Sequence, residues 1–251
     1  MDATLRFDGE LVGLLHRPAA DGRVVYPVTR RASIKDVIEA LGPPHTEVYR
    51  LAADGREVDF SARLAPGMTV TVQPKPVPVD VTRPTVLRPT PLSRLAFAAD
   101  ANVGRLATLL RLLGYDTTYD RTISDTDLAA QAAAQGRIVL SRDRNCLKRS
   151  QIVYGRLVRA NDPLDQIRDI IRVFDLTRFL APFRRCLRCN RELIAVDKAA
   201  IQDRLQPKTR RYYDDFATCP ACGRLYWSGS HYDGMKALLQ QLGIPEERSP
   251  R

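Results

Sequence analysis

The stretch Leu95-Ala96-Phe97-Ala98-Ala99-Asp100, with Val103, Leu106, Leu109, Leu110 and Leu113 after it and Gly114 closing it, decides the fold. Five apolar residues in a row read as a strand buried on both faces. The next apolar set repeats at helical spacing, up to a glycine suited to a C-cap. The alternation continues. A short strand is expected over 116–119, a helix over 124–134 ended by Gly136, a strand at Ile138-Val139-Leu140, another over 152–158 and a helix over 164–174. Strands alternating with helices imply a parallel sheet covered by helices, an α/β fold.

Upstream the pattern changes. Six of the 17 prolines fall between residues 74 and 91, a stretch that reads as an extended linker. Before it come strand-like runs at 4–7 with 11–15 and at 23–28. Ser33-Ile34-Lys35-Asp36 then opens a short helix, which Gly42-Pro43 stops. Further strands are expected at 47–51 and 68–72, with an Asp54-Gly55 turn between them. This order of strand, strand, helix, strand, strand resembles a ubiquitin-like β-grasp domain. Residues 65–72 are similar to the closing strand of small sulfur carriers. The chain runs on into Gln73-Pro74 rather than a Gly-Gly tail, so a docking or regulatory role is expected instead. The division that follows is a β-grasp domain at 1–75, a linker at 76–93, an α/β domain at 94–180, a cysteine-bearing segment at 181–240 and a flexible tail at 241–251.

The chain has 251 residues and a formal net charge of +10. Residues 1–80 hold 10 basic and 11 acidic side chains; the remainder holds 29 and 18. All of the excess is therefore C-terminal, where a phosphate backbone is the commonest partner. No apolar run is long enough to span a bilayer, and the N-terminus lacks a basic stretch followed by an apolar one. A cytoplasmic protein without a membrane partner is expected.

Three carboxylates sit where a parallel sheet binds ligands, beyond the carboxyl ends of its strands. Asp100 ends the first strand, Asp120 the second, and Asp143 lies just past the third. Asp125 and Asp127 open the following helix towards the same edge. Crowded carboxylates repel unless a cation neutralises them, and oxygen ligands suit Mg²⁺ or Mn²⁺. Such ions can activate water for phosphodiester cleavage. Each acid also has a plainer reading. Asp127 caps its helix, Asp120 turns the chain, and Asp143 pairs with Arg142 or Arg144.

Phe97–Asp100, Leu109 through Asp116, Ile123-Ser124-Asp125 and Ile138 through Asp143 occur in order. This series resembles the PIN-like ribonuclease family named for the C-terminal region of the Mut-seven exonuclease, over roughly 94–240. The resemblance implies that Asp100, Asp125 and Asp143 are catalytic and hold Mg²⁺ or Mn²⁺. It implies RNA as substrate, tRNA or another structured RNA among the candidates. Relatives often have a further Asp where this chain has Asn145, which weakens one metal position and keeps open a non-catalytic RNA-binding or regulatory role.

Cys186-Leu187-Arg188-Cys189 and Cys219-Pro220-Ala221-Cys222 form two CxxC knuckles. Four thiolates select Zn²⁺ and leave no open position, so the ion is expected to be structural. Asn190 and Gly223 follow the knuckles, and both tolerate a left-handed turn. The unpaired Cys146 reads as a helix-face residue, and His231 as a surface group. Arg142, Arg144 and Lys148 around Asp143, with Arg210 and Arg211 beside Tyr212 and Tyr213, are expected to contact RNA. The N-terminal domain is expected to offer a surface to a protein partner.

Overall fold

The computed structural model describes residues 1–244, apart from the side chain of His231. Contacts divide the chain into two units. One comprises residues 1–104, 119–159 and 172–175; the other comprises 105–118, 160–171 and 176 onward.

The first unit begins with β1 (Asp2–Phe7), β2 (Arg23–Pro27), α1 (Ile34–Leu41), β3 (Val48–Ala53), β4 (Arg56–Glu57) and β5 (Thr69–Pro74). The strands order as β2-β1-β5-β3-β4, with β1 and β5 parallel. Ser33 caps α1 by accepting the Asp36 N–H at 3.1 Å, as its capping pattern implies. Gly42 follows at φ 137°, where a Cβ would meet the Leu14 carbonyl. One expected strand is absent. Residues 9–14 form a 3₁₀ helix, because Gly9 turns to φ 52° and ends the extended run; Leu11 and Leu14 still bury, from a turn rather than a pleat.

Residues 76–93 are packed into this unit. Val79, Val81 and Leu87 are buried, and the buried Arg88 guanidinium donates to the carbonyls of His45, Thr46, Val48 and Val153. The segment runs through turns, one closed by reciprocal backbone hydrogen bonds between Thr85 and Arg88, and is not the extended linker its prolines implied.

The α/β part follows: β6 (Phe97–Ala99), α2 (Gly104–Leu112), β7 (Thr117–Tyr119), α3 (Asp125–Gln135), β8 (Ile138–Ser141), α4 (Arg144–Leu147), β9 (Gly155–Leu157) and α5 (Pro163–Phe174). The division between the units falls inside α2, β7 and α5. In the first unit β6, β8 and β9 run parallel, with Ala99 opposite Leu140 and Ser141 opposite Leu157. All three are buried throughout, which accounts for the apolar runs of β6 and β8, while β9 buries Arg156 between Gly155 and Leu157. Helix α3 packs on β6 and β8. Ala98, Val139, Leu147 and Leu157 join Leu5, Phe7, Ile34 and Leu51 in one core. Beside it Arg156 on β9 reaches Glu47 at 2.8 Å and Glu10 at 2.6 Å, while the Leu157 N–H donates to the other Glu47 oxygen.

The second unit carries a three-stranded antiparallel ribbon of β10 (Ile194–Ala195), β11 (Phe216–Thr218) and β12 (Leu225–Trp227). Helices α6 (Lys198–Ile201) and α7 (Pro207–Tyr212) lie between β10 and β11, and α8 (Ser230–Gln241) follows β12. Helix α8 thus takes up the first residue of the expected tail, and Ile244 is buried. Residues 245–251 of that tail lie outside the described residues.

Candidate functional site

The register of β6 on β8 brings Asp100 beside Ser141 at the carboxyl edge of the parallel strands. Asp100 is buried and well held. Its Oδ1 accepts the Ala101 N–H at 2.6 Å, and its Oδ2 accepts the Asn102 amide at 2.7 Å and the Ser141 hydroxyl at 2.5 Å. Ser141 Oγ in turn accepts the Asp143 N–H at 2.9 Å. One buried hydroxyl thus ties the ends of two strands together. Asp125 opens α3, with Ser124 as its cap.

A carboxylate oxygen of Asp100, one of Asp125 and the Cys146 sulfur all lie within 4.8 Å of one another. Asp143 stands outside that group. It is exposed, caps α4 and accepts the Asn145 N–H at 2.7 Å. Its charge still reaches the same point. Burial raises the Cys146 thiol to about 12, and the negative charges of Asp125, Asp100 and Asp143 push it the same way. The charged donors of the group are therefore the two carboxylate oxygens. Two converging carboxylates fit a hard divalent cation. Arg149 stands 3.9 Å from Asp125 and offsets part of its charge.

The other acids keep their plainer roles. Asp127 accepts the Ser124 hydroxyl at 2.6 Å and donates its own N–H to the same oxygen at 3.1 Å, so it is spent on the start of α3. Asp120 accepts both the N–H and the hydroxyl of Thr122; those bonds lower its pKa and spend it on its own turn.

Among the basic residues expected near Asp143, Arg142 is exposed. Arg144 and Lys148 turn inward: Arg144 donates to the Leu14 carbonyl at 2.7 Å and Lys148 to the Glu39 carbonyl at 2.6 Å. Arg210 and Arg211 are exposed on α7, and the Arg211 guanidinium sits 5.4 Å from the Tyr212 ring centre.

The four sulfurs of Cys186, Cys189, Cys219 and Cys222 lie within 4.8 Å of one another. The two knuckles repeat one geometry. Asn190 and Gly223 donate back to the carbonyls of Cys186 and Cys219, at 2.9 and 2.8 Å, from φ 69° and 67°. The cysteine N–H groups answer to Arg191 and Arg224 at 2.8 and 3.0 Å. Burial raises the Cys186 thiol, but the Tyr226 hydroxyl at 3.2 Å and the Cys189 and Arg188 N–H groups outweigh it and bring it down to about 6. These four sulfurs could hold zinc. Arg111 on α2 braces the first knuckle by donating to the Leu187 and Arg188 carbonyls. The side chain of His231 lies outside the described residues.

Residues 95–239 match the family model described as the Mut7-C RNAse domain. The chain belongs to that family. Residues 1–80 match the accompanying Mut7-C ubiquitin model, so both halves of the sequence-based expectation are met. No curated protein and no solved structure matches the chain. Membership in the Mut7-C RNase family supports a ribonuclease-like function with RNA as the substrate class. Among the described residues, no helix is long and apolar enough to cross a membrane.

Ser141 and Asn102 were not legible as site residues. A serine ending an apolar strand carries no catalytic signature, and Asn102 looks like an ordinary loop residue. Cys146 carries no sequence signal beyond a helix face; its nearness to two acids comes from tertiary packing.

Proposed function

We propose that this chain is a divalent-cation-dependent ribonuclease that hydrolyses RNA phosphodiester bonds at the carboxyl edge of the parallel strands. The observation that carries the reading is the convergence of Asp100 and Asp125, 25 positions apart in sequence, within 4.8 Å. Asp100 and Asp125 would hold Mg²⁺ or Mn²⁺, with Asp143 at the margin of the site. When bound, the cation would activate water and stabilise the charge that develops on the phosphate. The chain's own residues orient the donors: Ser141 and Asn102 fix the Asp100 carboxylate, and Arg149 steadies Asp125. Arg142, Arg210 and Arg211 are the proposed RNA contacts; Arg144 and Lys148 are committed to carbonyls within the first unit. The four cysteines would hold structural Zn²⁺.

The engagement of Asp143 as a helix cap, with Asn145 two places on, favours a second reading, a zinc-containing protein that binds RNA without cutting it. Purified chain with Mn²⁺ on single-stranded and structured RNA separates the two. Cleavage that disappears in Asp100→Asn is the expected result; RNA binding with no cleavage by the parent protein is the result of the second reading. Charge reversal at Arg210 and Arg211 should weaken RNA binding at low salt, and unchanged affinity would remove them from the interface.

A further inference from the structure

Helix α4 carries Asp143 as its cap and Cys146 in its body, yet it has only four residues. One turn is far too short to hold itself by helix propensity. Its place is fixed from outside. Cys146 and Leu147 are buried, and the turn packs against β8 and β9. Arg144 and Lys148 are four apart, so they leave the turn on one face. Both end on last-turn carbonyls of the β-grasp helices, Leu14 of the 3₁₀ helix and Glu39 of α1. Such carbonyls are the negative end of a helix and welcome a cation.

The hold continues along the chain. His45 Nε2 lies 2.8 Å from the Ile152 carbonyl. Arg88 bridges the Val153 carbonyl to those of His45, Thr46 and Val48. Glu47 accepts the Leu157 N–H and takes Arg156. Residues 144–157 are thus latched to residues 14–48 at both ends.

We propose that the β-grasp portion is part of the machinery that positions the acid site, with Arg144 and Lys148 as positioning residues. By seating α4 they hold Cys146 against the oxygens of Asp100 and Asp125 and keep Asp143 at the margin of the same mouth. This face of the β-grasp portion is then an internal brace, unavailable to a separate partner. The proposal rests on the reading that these acids hold a divalent cation.

The test is Mn²⁺ titration calorimetry on the zinc-loaded full chain, comparing the parent with Arg144→Met/Lys148→Met, Arg144→Lys/Lys148→Arg and Asp100→Asn. Methionine keeps an apolar stem and removes the charge. The expected result is Mn²⁺ binding roughly 10-fold weaker in the methionine pair, within the range for groups that orient metal ligands. The conservative pair should bind as the parent does. Where the methionine pair melts below the assay temperature, Lys148→Met alone takes its place with the same two outcomes. Parent-like Mn²⁺ affinity in the methionine variant overturns the proposal, whatever its melting temperature. Parent-like affinity in Asp100→Asn instead sinks the cation-site reading, and the positioning role with it.

Discussion

In the ribbon, four sulfurs come from two short loops, each closed by its own backbone hydrogen bonds and a left-handed residue. At the acid mouth, Asp100, Asp125 and Cys146 come from the end of β6, the start of α3 and the body of α4. The first arrangement is local and repeats itself; the second exists only once a sheet, two helices and the β-grasp portion have packed. A site of the first kind depends on its ligands and its metal. A site of the second kind depends on residues that never touch it.

The largest expected effect falls on the ribbon. If the four sulfurs hold zinc as proposed, Cys189→Ser should release it and, with it, binding energy on the order of 10 kcal/mol. Metal analysis should show the loss, and protease should cut between residues 186 and 227 where the parent resists. A ribbon that keeps its zinc or its protease resistance would break the contrast on this side.

The scaffold of the acid mouth should give way next. Arg156→Met leaves Glu47, fully buried, without its closest cation. The loss of one partner from such a pair costs about 3–5 kcal/mol. A clear fall in thermal midpoint should follow, and an unchanged midpoint would mean that the joint is not what holds the first unit.

Lys75 sharpens the same point through pH. Burial lowers its ammonium from 10.5 to about 8, against the pull of Glu47. Between those values the unfolded chain holds a proton that the folded chain has lost. Stability from this group therefore climbs as pH rises through that window, by up to about 3 kcal/mol, and is flat below it. Urea midpoints of the parent, measured relative to Lys75→Met, should rise from pH 8 to 10.5. A constant difference would show that the ammonium is not desolvated.

The smallest effect returns to the ribbon. At Gly223 a Cβ would meet only Arg204, at 3.9 Å, so Gly223→Ala adds backbone strain and no clash. It should cost about 1 kcal/mol, read from the same urea curves.

What was legible in the sequence follows the same divide. The Ser33 and Ser124 caps, the glycine stops at Gly42 and Gly136, and the CxxC knuckles are short-range patterns, and each stands where its residues implied. The apolar runs at β6 and β8 were readable because strands buried on both faces are mostly apolar; β9 was harder to read because it buries Arg156 against Glu47 and Glu10. The run at 11–15 misled, since its leucines bury equally well from a 3₁₀ helix once Gly9 has turned the chain. Arg144 and Lys148 looked like a solvent-facing basic patch around Asp143; only the packed β-grasp helices supply the carbonyls that claim them. Cys146 and Ser141 were unreadable for the same reason, because their neighbours are remote in sequence.

The most direct measurement is anomalous scattering from crystals of the zinc-loaded chain soaked in Mn²⁺. A manganese peak is expected roughly 2 Å from carboxylate oxygens of both Asp100 and Asp125, separate from the zinc peak among the four cysteines. A zinc peak alone, or manganese bound away from those two carboxylates, would overturn the cation site.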